Sequence, residues 1–351
     1  MIKSLTIFLL LNLTLAMNAQ PEDARPIFES VEDAKIAPTN EVYHLQLFEK
    51  NLKEIPEAVF EFSNLEILDL SSNEFRKLSA RLIELAKLHT LILSGNRYLD
   101  FEQIIPILVK MPNLKHLVIS KAQLRVFPPE IMQLTQLESL DFSSNLLEVL
   151  PAEINELVNL ENINMSRNRL ITIPNKIGTL GSLKTLNLSF NEIEILPLEI
   201  GNLGNLETLI LLENKLKEIP ITVGNIEGLR VLNLNSNQLN TLPETVSKLE
   251  NLESLEIAVN QLTKLPENLQ YLKNLKSINC YANQLNEFPN ILVQLKKLEK
   301  INLASNKITD IPKEIDSLKQ LVLLNLYNNS ISEKEKRKII EILPEKVKVR
   351  F

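Results

Sequence analysis

The chain is 351 residues long, 44% hydrophobic yet only 5% aromatic, with 7 Gly, 17 Pro, no Trp and a single Cys. One Cys excludes a disulfide framework or a zinc ribbon, and three dispersed His leave little material for a histidine-rich metal site. A net charge of −6, from 38 basic and 44 acidic residues, disfavours a nucleic-acid binder, and the scarcity of Gly argues against nucleotide-binding loops.

Residues 1–19 carry one positive charge, Lys3, and then run apolar from Leu5 to Met17. That length suits the core of a secretory signal peptide and is short for a spanning helix, which needs about 20 residues. A cut after Ala19 leaves Gln20 first, although Met17 is larger than the residue usual at its place. No second apolar stretch of spanning length follows. The sequence therefore predicts an exported chain, secreted or held at the cell surface or in the periplasm, with no integral membrane segment in its mature form. A cytoplasmic chain with a buried N-terminal helix is the alternative. Residues 20–41 form an N-terminal capping segment, in which Ser30 with Asp33 three positions on predicts a short capped helix.

From residue 42 the chain repeats itself. Asn73, Asn96, Asn145, Asn168, Asn191, Asn214, Asn237, Asn260, Asn283, Asn306 and Asn329 each follow an aliphatic triplet, and from Asn145 onward the interval is 23 residues. Lys50 and Ala122 fill the same slot in two further units, so 42–331 holds thirteen coils. Leu stands eight residues before this key slot in twelve coils, and aliphatic residues stand five and three before it. Six after it is Pro in ten coils, from Pro56 to Pro312. The alternation at Leu186, Asn187 and Leu188 has a period of two, which buries one strand face and opens the other. One coil cannot bury its own aliphatic face, whereas thirteen stacked coils make a continuous core. Pro fixes φ and withdraws an N–H where the chain leaves the strand. An inward Asn amide both donates and accepts, and is expected to satisfy backbone groups of its own coil and the next. Twelve steps of about 4.8 Å predict an inner sheet roughly 58 Å long.

These units, such as LGSLKTLNLSFNEIEILPLEIGN, resemble the leucine-rich repeat superfamily, whose unit is L-x-x-L-x-L-x-x-N-x-L. The 23-residue length with a Leu-Pro step is similar to the group shared by Ras-related scaffolds and secreted spirochaete proteins. The resemblance implies an α/β solenoid, a horseshoe or arc with a concave parallel sheet and irregular or 3-10 segments on the convex side.

One coil departs from the pattern. After Asn96 the chain lacks the Leu-Pro step, and FEQIIPILVKM predicts a helical outer segment with Asp100 as its cap and Pro106 within or breaking it. Residues 332–351 form a C-terminal cap: Ser332 with Glu335 makes a capping box, Ile339, Ile340 and Leu343 give a helix its apolar side, and KVKVRF alternates like a closing edge strand.

Four positions per coil, those six, four, two and one before the key slot, are expected on the concave face. They hold only eight charged residues: Glu49, Asp69, Lys121, Asp141, Arg167, Glu213, Glu256 and Lys300. That mixture makes no basic track for phosphates. A column of Asn (Asn164, Asn187, Asn233, Asn279, Asn302, Asn325) forms either a hydrogen-bonded ladder or a polar docking strip. Phe190, Ile210 and Leu212 on adjoining coils, Ala258 with Val259, Tyr281 and Tyr327, and Phe48 near the start interrupt it as candidate partner anchors. Cys280 falls in a core slot as an inert thiol. His44 and His116 share a column but lie three coils apart, roughly 14 Å, too far for one metal, and His89 occupies another slot. Asp69 and Asp141 are equally far apart, and no nucleophile–base pair is legible. The sequence thus predicts a non-enzymatic module, without metal or cofactor, that binds a protein through its concave face. For an exported chain that partner is a host-surface or matrix component; the alternative is an intracellular or periplasmic scaffold.

Overall fold

The computed structural model describes residues 25–351, so the expected leader, 1–19, lies outside the described residues. Within them the chain winds into one open sheet of fifteen parallel strands in sequence order. Thirteen of these are the repeat strands, from His44–Gln46 to Leu323–Asn325. Of the other two, the C-terminal one is the expected closing edge strand, and the N-terminal one was not expected. Ile27–Phe28 pairs with the first repeat strand, and Lys348–Arg350 pairs with the last. Fourteen steps make the sheet about 67 Å long, and each raw end is covered by a further strand backed by a helix.

The coil ending in Asn202 shows why the sequence winds this way. Leu183, Leu186 and Leu188, then Ile193, Leu196, Ile200 and Leu203, are all buried. Burying each one fully stabilises by roughly 1.5–3 kcal/mol. The strand Thr185–Asn187 is only three residues long, and its Leu186 aligns with Leu209 and Leu232 on the next coils. Pro197 then holds φ at −67° and opens a single 3-10 segment, Leu198–Asn202, on the convex side. The coil after Asn73 lacks the Pro, and there the Ser79 hydroxyl accepts the Arg81 N–H at 3.3 Å to start the turn.

The convex packing is tightest over three successive coils. A Cβ added at Gly178, Gly201 or Gly224 would lie 2.2 Å from a backbone oxygen of the next coil, that of Glu199, Thr222 or Thr245. Only Gly fits such an approach.

The key Asn residues are the second tie between coils. Asn191 donates from Nδ2 to its own coil at Leu188 O (2.9 Å) and to the preceding coil at Met165 O (3.0 Å). Its Oδ1 accepts the Leu170 N–H of the preceding coil at 3.0 Å. The expectation of bonds to the following coil is therefore corrected: the amide reaches backward. Met165 O is available because the Ser189 N–H, next in the ladder, turns instead to Asn187 Oδ1 at 3.1 Å. Where the key slot is Ala122, the next coil compensates. Asn145 Oδ1 accepts both Ala122 N–H (3.0 Å) and Leu124 N–H (3.1 Å), and Gln123 takes φ 59°. Asn73 does the same for Lys50 and Leu52, with Asn51 at φ 54°.

At the N-terminal end, Ser30 Oγ accepts the Asp33 N–H at 3.0 Å and caps the helix Val31–Ala34. At the other end Ser332 Oγ accepts the Glu335 N–H at 3.2 Å, and the helix Glu333–Ile342 follows. Ile339 and Leu343, one turn apart, face the core; Ile340, expected on the same side, is 59% exposed because it sits about 100° around the helix from Ile339. The irregular coil carries the helix Phe101–Leu108 with Pro106 inside it, and Asp100 stands at its N-cap without a side-chain bond to the backbone.

Candidate functional site: the concave wall

The concave positions divide into columns with different tasks. In the column four before the key slot, side chains bond to the backbone two residues on: Asn164 to Ser166 N–H, Asn233 to Asn235 N–H, Asn279 to Tyr281 N–H, each at 3.1 Å, and Asn325 to Tyr327 N–H at 3.2 Å. Amides also bond along the column, Asn302 to Asn279 and Asn279 to Glu256, both at 2.9 Å. Asn187 is buried, its Oδ1 taken by Ser189 N–H and Oγ. The Asn column is first a structural ladder.

The central trio does not form an exposed patch. Ile210 is 7% and Leu212 6% exposed, and Phe190 is half-buried beneath the Arg167 guanidinium, 4.1 Å above its ring. Strands about 4.8 Å apart pack these side chains edge to edge along the wall, a crowding that alternation alone does not reveal. Ala258 is buried as well.

Toward the C-terminal end the wall opens. Val259 is 45%, Tyr281 41% and Tyr327 60% exposed. Tyr281 and Tyr327 occupy the same column two coils apart, roughly 10 Å, with the small buried Ala304 between them. Val259 lies on the coil before Tyr281, its N–H donating to Tyr281 O at 2.7 Å. The rim is polar, made by the Asn279 and Asn302 amides, Ser305 and Asn328, whose Nδ2 donates to Ser305 Oγ at 3.1 Å. Phe48, 47% exposed, stands alone at the far end.

The residue before the key slot takes a left-handed backbone in every coil, and Ser, Gly, Ala or Asn fills that place in seven of them, as at Ser72, Gly95 and Asn328. Val259 adopts φ 53° there. A β-branched residue in this region is strained, by an amount of order 1–3 kcal/mol.

Among the described residues the titratable groups stand in separate surroundings. Asp141 is buried, bonded to Ser143 N–H at 2.7 Å and Asn164 Nδ2 at 2.9 Å, and burial pushes its carboxyl above the usual range against those bonds. Cys280 is fully buried, which raises its thiol far above the ordinary value. The structure brings His89 against His116, ring centroids 6.0 Å apart and edge-on, a pair that the assignment of His89 to a separate slot had missed. Burial and the neighbouring His89 hold His116 below the usual imidazole range. Among the described residues no three His, Cys, Asp or Glu side chains gather as metal ligands, and no helix is long and apolar enough to cross a membrane. A cleft of about 480 Å³ on the lip of the first coils lies off the concave wall, lined by Lys53, Glu54, Glu74, Arg76, Lys77, Tyr98, Asp100 and Gln103. Its charges balance, three acids against three bases.

A charged column at the entry edge of the strands was also missed, although its alternation is visible in the sequence. Ion pairs join Lys115 to Glu138 (3.0 Å), Lys184 to Glu161 (2.8 Å), Arg230 to Glu253 (3.1 Å) and Lys276 to Glu253 (2.5 Å), each across neighbouring coils. Exposed pairs of this kind contribute about 0–1 kcal/mol each.

Comparison with known proteins agrees with this geometry. Family models described as leucine-rich repeat match residues 40–97 and 112–170, and 182–203, and one described as a leucine-rich repeat region matches 222–350. A leucine-rich repeat protein of Leptospira interrogans is 35% identical, with TM-score 0.81 over 93% of this chain and 82% of that one. An internalin of Listeria monocytogenes is 21% identical, with TM-score 0.72 over 96% and 92%. The Drosophila Toll–Spatzle complex contains a chain 21% identical, with TM-score 0.73 over 89% of this chain and 48% of that one. No curated protein sequence matches significantly.

Proposed function

The chain belongs to the leucine-rich repeat proteins, and on that premise we propose that it is an exported, non-enzymatic module that binds a protein partner on its concave wall. The observation that carries this reading is the cluster of Val259, Tyr281 and Tyr327. Exposed aromatic and aliphatic side chains rimmed by amides are the usual anchors of protein partners, and Val259 is retained there in a backbone region that costs stability. The resemblance to a spirochaete repeat protein and the apolar leader support export and a host-surface or matrix component as partner.

The test is surface plasmon resonance of the purified protein against a panel of cell-surface and matrix proteins, repeated with Tyr281→Ser, Tyr327→Ser and Val259→Asn. Each variant is expected to weaken the bound partner at least tenfold, as truncating an interface anchor does. Val259→Asn should at the same time raise stability by about 1 kcal/mol through relief of strain. Partner binding that survives all three substitutions refutes the assignment of this cluster, and detection of the unprocessed chain in the cytoplasm refutes export.

A further inference from the structure

One lateral face of the solenoid, where the chain turns from the sheet toward the convex side, carries an aliphatic stripe unrelated to the concave wall. Four residues after the key slot most coils place a charged residue or Thr, as at Glu54, Lys77, Glu218 and Lys264. Three of the four coils in the middle place Val126 (76% exposed), Val149 (64%) and Ile195 (70%) there, and the remaining one presents Ile171 (53%) one position earlier. Leu198 (61%) extends the stripe where the 3-10 segment begins. None of these residues touches the core, and their neighbours Phe127, Leu150, Ile173 and Leu196, buried at the next position, leave no room to fold them inward.

We propose that this lateral face pairs with the same face of a second copy of the chain. Two flat identical faces stack about a two-fold axis lying in their plane. With that axis pointing outward from the centre of the arc, between the Asn145 and Asn168 coils, coil order reverses while depth on the face is kept. Val126 then meets Ile195, Val149 meets the Ile171 coil, and Leu198 meets Pro129 of the other copy. The same operation sets Arg125 opposite Glu194, both exposed and three residues after their key slots, and does so twice. Neither side chain forms an ion pair within its own chain among the described residues; Glu194 feels the Lys215 charge, which Glu192 already holds at 2.7 Å, so the pairing gives both groups a direct partner. The five aliphatic side chains expose roughly 500 Å² per copy, and with the flanking Arg125, Glu148, Thr172 and Glu194 the face reaches about 800 Å² per partner, the size of a stable interface. The two concave walls stay open side by side, which doubles their valency.

Sizing with light scattering of the purified protein at ~1 to 100 µM tests the pairing; a dimer is expected within this range. Val149→Asp with Ile195→Asp should give a monomer with unchanged far-UV spectrum and melting temperature, since both side chains are solvent-facing. Arg125→Glu and Glu194→Arg should each weaken dimerisation roughly tenfold or more, as reversing an interfacial charge does, and the double reversal should restore it. A monomer throughout the concentration range overturns the proposal. So does a dimer indifferent to the aspartates, a double reversal that is no tighter than either single one, or flotation of the stripe with phosphatidylcholine vesicles in place of self-association.

Discussion

Replacing a key Asn removes its ties to two coils at once, and the structure contains its own precedent for repair. In Asn260→Ala the Leu239 N–H loses its acceptor at 3.0 Å, whereas Leu234 O keeps the Asn237 amide at 3.1 Å and Ile257 O keeps the Asn283 amide at 2.9 Å. One buried polar group left without a partner costs about 1–3 kcal/mol, so the substitution should destabilise by about that much. The Ala122 coil survives without its Asn because Gln123 turns to φ 59° and Asn145 takes two N–H groups. Asn283 already accepts the Leu262 N–H at 3.0 Å and stands ready to take a second from residue 260. Adding Gln261→Gly, which frees that turn, should then return about 1 kcal/mol, the worth of the recovered bond. Gln261→Gly alone should cost up to about 1 kcal/mol, since Gly has more freedom to lose. The assay is urea unfolding followed by far-UV circular dichroism, with the four proteins compared as a double-mutant cycle. A loss below about 1 kcal/mol for Asn260→Ala, or a double variant that falls at or below the sum of the singles, would refute the reasoning.

Gly201→Ala should destabilise by roughly 2 kcal/mol or more through overlap with Thr222 O, whereas Gly181→Ala, with nothing within 4 Å of its Cβ, should be neutral or slightly stabilising; thermal melts of the pair check this. His116 has a folded pKa below its unfolded value, so the unfolded chain binds the extra proton. Its contribution to stability is present above about pH 6.5 and is lost as pH falls through the lowered folded value. His116→Thr should therefore flatten part of the fall in melting temperature between about pH 7 and 5, and an unchanged slope would show that the pair has no such role. Asp141 is the opposite case, an acid raised by burial: stability is lost as pH rises from about 3.8 through the folded value. Asp141→Asn should raise the melting temperature at pH 7, with the gain fading toward pH 4; a decrease at pH 7 contradicts this. Cys280 should stay unreactive to an aromatic disulfide reagent in the native state and titrate fully in denaturant.

The fold was legible because every coil sorts its side chains by position: Leu186, Leu209 and Leu232 are equivalent in sequence and stack in space. What escaped the sequence lies where neighbouring coils meet or the repeat stops. The N-terminal strand Ile27–Phe28 carries no key Asn and is only two residues long, whereas the alternation of KVKVRF made the closing strand legible. The backward reach of Asn191 depends on which carbonyl the ladder leaves free, which no single unit shows. Burial of Ile210 and Leu212 follows from crowding between coils rather than from alternation within one. His89 and His116 sit in adjacent slots of adjacent coils, and a column-by-column reading separates them. One signal was present and unused: Ser72, Gly95, Ser144, Ser236, Ser305 and Asn328 all precede a key Asn, a composition that marks a left-handed backbone and would have singled out Val259 and Phe190.

The two Asn columns also explain why binding and folding residues separate so cleanly on the concave wall. A parallel ladder continued past Asn187 would pair Ser189 N–H with Met165 O and extend the strand. Instead Asn187 Oδ1 captures that N–H and Asn191 Nδ2 takes the carbonyl, so the strand ends after three residues and the chain turns. The same exchange recurs where Asn233 and Asn237, or Asn279 and Asn283, replace them. In these coils both Asn side chains are committed to the backbone, although other coils place Ile92, Val118, Ile210 or Glu256 four before the key slot. The positions six and two before the key slot mostly keep no such duty, Asn235 with its bond to the Ala258 N–H excepted, and there the chain varies among Thr, Ser, Asn, Lys, Ala and Tyr. On the proposed reading recognition rests on such exposed positions, and substitution at Tyr281 or Tyr327 should alter what is bound while leaving the winding of the coil intact.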